Sequence, residues 1–82
     1  MIAVTVRLHA HLERYAGSPD GTVTLKVADG STIHDVVERL SIGPREAGLF
    51  EVNGSLVDER TARSTTLRDQ DRLDIYAMMM GG

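Results

Sequence analysis

Cysteine is missing from all 82 residues. Its absence excludes disulfides, zinc fingers, iron–sulfur clusters and a thiol nucleophile together. Long apolar runs are missing too, since nothing approaches the roughly 20 residues needed to cross a bilayer. The first residues, "MIAVTVRLHAH", lack a basic opening and alternate polar with apolar positions, so they are not read as a signal peptide. No membrane association and a cytoplasmic location are the expectation. A basic surplus is also lacking: the formal net charge is −3, which argues against a nucleic-acid partner. No nucleophile elbow and no phosphate-binding loop occurs. A chain of this length buries only roughly 60–65% of its unfolded surface, which leaves little room for a deep cleft. The expectation is a single domain, residues 1–82, that is not catalytic alone and acts as a subunit or carrier.

The hydrophobic pattern changes period along the chain. Ile2, Val4, Val6 and Leu8 alternate with Ala3, Thr5, Arg7 and His9, the period of a half-buried strand. Leu12, Tyr15 and Ala16 support one helical turn before Gly17, and Pro19-Asp20-Gly21 reads as a turn. "TVTLKVA" alternates again, with Val23, Leu25 and Val27 inward. Ile33, Val36, Val37 and Leu40 then fall on one helical stripe. Thr32 stands at the N-cap, Asp35 completes an approximate capping box, and Gly43-Pro44 is the expected stop, with glycine as the left-handed cap. "LFEVNGSLVD" reads as a hairpin turning at Asn53-Gly54. "ERTARSTTLRDQD" is expected as a polar connection into a last strand, "RLDIYAM". The order β-β-α-β-β-β, with one amphipathic helix needing a sheet to cover it, predicts an α+β β-grasp (ubiquitin-like) fold of about five mixed strands. Strand five is expected beside strand one, and residues 78–82 form an extended tail.

Few residues suggest site chemistry. His9 and His11 share a face if the first strand runs that far, and His34 lies at the exposed helix start; all three are expected as solvated surface histidines, with no metal site. Asp69, Asp71 and Asp74 lack the glycine and glutamate of a calcium loop and are read as a solvated turn, with an acidic docking patch as the alternative. The end, "YAMMMGG", is different. Met78, Met79 and Met80 suit a narrow apolar channel because methionine is unbranched and polarizable. Gly81 and Gly82 let backbone and carboxylate enter a tight active site unhindered.

These features together resemble the MoaD/ThiS sulfur-carrier family, closest to the small subunit of molybdopterin synthase. The resemblance spans the whole chain through "LERYAG", "TIHDVVERL", Val52-Asn53-Gly54, "LRDQDRLDIY" and the terminal Gly81-Gly82. It implies that a ubiquitin-activating-type adenylyltransferase, consuming ATP, adenylates the Gly82 carboxylate. Sulfur from a donor protein or sulfide then gives a thiocarboxylate. The large catalytic subunit of a synthase receives it, with Met78, Met79, Met80, Tyr76 and Arg7 as partner contacts and no cofactor bound to the carrier. Two departures stand out. Molybdopterin-type carriers commonly have Pro-Pro where this chain has Ala77-Met78-Met79, and Asp-Gly-Asp where it has Asp69-Gln70-Asp71. A thiamin-thiazole or other dedicated sulfur carrier is one alternative, and a ubiquitin-like modifier forming isopeptide bonds is another. A structural domain with an indifferent tail is the third. The outer sheet face, with Thr5, Arg7, Thr24, Lys26 and Tyr76, is the expected docking side.

Overall fold

A computed structural model describes residues 1–43 and 45–78. Strands β1 (Ile2–Leu8) and β2 (Thr22–Val27) form the long hairpin, antiparallel with Val4 opposite Leu25 and Val6 opposite Val23. Helix α1 (Ile33–Arg39) follows, then β3 (Ala47–Val52), β4 (Ser55–Asp58), the short helix α2 (Glu59–Ala62) and β5 (Arg72–Ala77). The sheet order is β2-β1-β5-β3-β4. The last strand therefore lies in the middle, parallel to β1 and antiparallel to β3. This is the β-grasp arrangement predicted from the periods.

One face of the sheet is apolar throughout. Val4, Val6 and Leu8 from β1, Phe50 from β3, and Leu73 and Ile75 from β5 join Ile33, Val36 and Val37 of α1 in a single buried cluster. The helix begins where its cap chemistry says it should. Thr32 Oγ1 accepts from the Asp35 N–H (3.2 Å), and the Asp35 carboxylate accepts from the Thr32 N–H (2.8 Å). It ends earlier than expected: Leu40 is the C-cap, and Ser41, at φ 61°, takes the left-handed position assigned to Gly43. Gly43 serves another purpose, described below, and Pro44 lies outside the described residues.

The connection expected to be merely polar is only partly so. Asp58 caps α2 by accepting from the Thr61 N–H (2.8 Å), and Ala62 and Leu67 enter the core. The Leu67 N–H then bonds the Ser31 carbonyl (2.8 Å), tying this segment to the start of α1. Asp69 and Asp71 cap backbone and bind side chains as a tight turn: Asp69 accepts from the Ala3 N–H, and Asp71 accepts from the Arg68 N–H and Asn53 Nδ2. Between them Gln70 has φ 70°, a left-handed conformation that glycine adopts without steric cost. The substitution Gln70→Gly is therefore expected to raise unfolding free energy by about 0.5–1 kcal/mol, because the relieved strain exceeds the added unfolded-state entropy. Chemical denaturation checks it; an unchanged or lower midpoint would refute the strain assignment.

Candidate functional site

The candidate site is built where β5 leaves the sheet. On one side β1 has ended, and the His9 N–H makes a last contact with the Ile75 carbonyl (3.1 Å). On the other side β3 continues. Ala47 pairs with Ala77 and Leu49 with Tyr76, so Gly48 is an extra residue in a bulge. A Cβ at Gly48 would stand 3.1 Å from the Met78 Cα, which is why the chain can pass so close here. Met78 is held by its N–H, which donates to the Glu46 carbonyl (2.7 Å).

Glu46 is fixed in turn by its side chain. One carboxylate oxygen accepts from Arg14 Nη2 (2.7 Å), the other from the Gly43 N–H (2.9 Å) and the Tyr15 hydroxyl. The Tyr15 hydroxyl above all, then the Gly43 amide and Arg14, hold the Glu46 carboxyl below its ordinary value. The clamp's contribution to stability is thus complete above the unfolded-state carboxylate value and is lost as pH falls through the depressed one. The difference in melting temperature between the parent and Glu46→Gln is expected to shrink on acidification through that window. A difference that stays constant with pH would remove the assignment.

On the outer face, Tyr76 stacks on His9 with ring centroids 4.3 Å apart and planes 8° from parallel. Its hydroxyl donates to Glu51 Oε1 (2.9 Å), and that hydrogen bond is the leading cause of its raised pKa. His9 Nε2 also lies 2.9 Å from Asp74 Oδ1. His9 is therefore not the solvated histidine expected. β1 stops at Leu8, and Ala10, at φ 56°, turns the chain into a 3-10 helix (Ala10–Tyr15). For the same reason His9 and His11 do not share a strand face; His11 Nε2 sits 4.0 Å from Glu46 Oε1. His34 pairs with Glu38 on α1 at 3.2 Å. Among the described residues, no group of three or more His, Asp or Glu is placed to hold a metal ion. None of the helices there is long and apolar enough to cross a membrane.

The expected contact residues are placed as follows. Tyr76 and Met78 line one shallow, mainly apolar concavity of about 400 Å³ with His9, Gly48 and Leu49. Arg7 is exposed on the same outer face, opposite Asp74 in register and outside that concavity. Thr5 pairs with Thr24 and Ala3 with Lys26, which puts the outer-face set on one side as expected. Met79, Met80, Gly81 and Gly82 lie outside the described residues. Sequence reasoning missed Glu46, in a loop with no periodicity, and Gly48, the bulged residue at the start of β3, and placed Tyr15 only as a helical-turn residue.

The sequence profile of the ThiS family matches residues 6–82. The chain belongs to the ThiS family. Solved structures carry the same fold at low identity. Subunit 1 of a putative molybdopterin converting factor from Pyrococcus furiosus is 17% identical, with a TM-score of 0.72, over 96% of this chain and 100% of that one. SAMP1 from Haloferax volcanii is 22% identical, with a TM-score of 0.71, over 98% and 99%. A complex of subunits 1 and 2 of the molybdopterin-converting factor from Helicobacter pylori contains a chain 18% identical, with a TM-score of 0.60, over 99% and 100%. No curated protein matches significantly. This ThiS-family chain thus shares its fold with these solved structures.

Proposed function

We propose that this ThiS-family chain is a sulfur carrier whose Gly82 carboxylate is the working group. A separate ubiquitin-activating-type adenylyltransferase joins that carboxylate to AMP from ATP and releases pyrophosphate. A sulfur nucleophile then displaces AMP, leaving a C-terminal thiocarboxylate. At neutral pH this is a soft anionic nucleophile that a synthase subunit can use, after which the carboxylate is regenerated. The single observation behind the reading is that the family match runs through residue 82 and so includes Gly81-Gly82. The geometry is consistent with it, since the central strand delivers Met78 at the sheet end with a fixed root.

Glycine fits each demand of that chemistry. It clears a narrow channel, and it has no stereocentre to lose when its acyl group is activated. The carrier itself then binds no cofactor; ATP belongs to the activating enzyme. The Helicobacter complex pairs subunit 1 with subunit 2, and a large catalytic subunit of that kind is the partner we favour, with molybdopterin or tungstopterin synthesis as the pathway. Thiazole synthesis is the alternative for the same chemistry. A second reading, a protein modifier, is favoured by the fold shared with SAMP1, a small archaeal modifier protein.

The test is the intact mass of the protein after incubation with ATP, sulfide and an activating enzyme from the same source. A gain equal to exchange of one oxygen for sulfur, mapped to Gly82, is the expected result. Covalent attachment to lysines of other proteins, with no such gain, would replace the carrier by the modifier.

A further inference from the structure

Glu46 belongs to no strand, yet three separate parts of the chain meet on it. Arg14 and Tyr15 come from the 3-10 helix, Gly43 from the loop after α1, and Met78 from the end of β5. The groups facing the Glu46 carboxylate are the Arg14 guanidinium, the Tyr15 hydroxyl and, more distantly, the His11 imidazole. Met78 is bound through the main chain: the Glu46 carbonyl receives the Met78 N–H. Side chain and main chain of one residue thus link the loops to the tail root.

Two glycines fit the same device. A Cβ at Gly43 would stand 2.9 Å from Glu46 Oε2 and displace the carboxylate from the amide it binds. Gly48 gives Met78 its path, as described above. Besides its side-chain clamp and the bond from Met78, Glu46 makes one more hydrogen bond among the described residues, from its own N–H to the Gly43 carbonyl (3.0 Å). The side-chain clamp therefore restrains the same residue whose carbonyl receives the Met78 amide, just ahead of the Ala47–Ala77 pair.

We propose that Glu46 is a positioning residue for the root of the C-terminal tail, its clamped carboxylate orienting the carbonyl that fixes Met78, the point where the chain leaves the sheet. The consequence for activity rests on the sulfur-carrier reading; the anchoring itself does not. A root ordered beforehand spares the partner the backbone entropy of ordering it on binding. The clamp should therefore act on productive binding of the tail and leave the acyl chemistry alone.

The experiment measures amide hydrogen exchange by NMR and adenylation kinetics in the full chain and in Glu46→Ala, Tyr15→Phe and Glu46→Gln. The Leu8 amide, bonded to the Gly21 carbonyl in the hairpin, serves as the internal reference. In Glu46→Ala and Tyr15→Phe, exchange at Met78 is expected to accelerate about tenfold, well beyond any acceleration at Leu8, because the local opening at the tail root is affected more than global unfolding. The KM for the activating enzyme rises several-fold with kcat held. Glu46→Gln, whose amide oxygen still accepts from Gly43 and Tyr15, restores most of both. Unchanged exchange at Met78 overturns the proposal, as does equal acceleration throughout the sheet, which would make Glu46 a general stability residue. Parent protein that takes up no sulfur removes the carrier reading, while the exchange result still decides the anchoring.

Discussion

Deleting Gly82 abolishes sulfur uptake while leaving the melting temperature of the domain nearly unchanged. The two halves of that expectation have separate causes. In the proposed chemistry the acyl carbon of Gly82 is both the site of adenylation and the atom that carries sulfur. Without it the activating enzyme is offered Gly81, one residue short of its nucleotide. A displacement of one residue, about 3.3–3.6 Å of extended chain, exceeds the roughly 1 Å misplacement that already costs on the order of 100-fold in rate. Adding one residue after Gly82 should fail equally, since it moves the carboxylate too far and gives it a side chain. Stability is expected to be unaffected because, among the described residues, the buried core draws nothing from beyond Ile75 except the flanking Ala77. Intact-mass analysis and a thermal melt of each variant check both halves. Sulfur uptake by the deletion variant would end the sulfur-carrier reading.

Ile75→Ala is expected to have the largest effect on the fold. Ile75 is fully buried in the central strand, opposite Leu8 of β1 and Phe50 of β3. Removing its branched chain leaves a cavity between β1 and β3, neither of which can close on it without disturbing its pairing with β5. Such truncations cost about 2–5 kcal/mol. A domain of this length has only about 4–12 kcal/mol in total. Urea unfolding should therefore show a much lower midpoint at an unchanged slope. A loss under about 1 kcal/mol would mean that the core repacks around the site. The same strand carries Tyr76 and leads into Met78, so the variant should also weaken tail presentation. Gly82 deletion and Ile75→Ala thereby separate chemistry at the tail from integrity of its platform.

Much of the architecture was legible because it rests on local rules. Period-two alternation in β1 and β2 fixes which side chains face inward, and the structure keeps that register. Thr32 and Asp35 cap each other as their spacing requires, and Asn53-Gly54 closes its hairpin with both residues at positive φ. Local rules misplaced three things for one reason. His9 was assigned to a strand face because alternation continues past Leu8, but the turn at Ala10 ends the strand. Gly43 looked like a helix cap, yet Ser41 adopts that conformation and leaves the Gly43 amide to Glu46. Leu67 stood in a polar stretch whose entry into the core depends on pairing with Ser31, distant in sequence.

The sequence by itself determined the β-grasp class, the core faces of β1, β2 and α1, and the family, because periodicity, caps and turn pairs act over a few residues. It also carried the Gly81-Gly82 end on which the proposed chemistry turns. Only the tertiary structure decided how the tail root is held. Gly43 apart, the Glu46 clamp, the bulge at Gly48 and the stack of His9 on Tyr76 join residues far apart in sequence, Glu46 to Tyr15 across 31 positions. Such contacts exist only once β5 has entered the sheet between β1 and β3, and no local pattern encodes them.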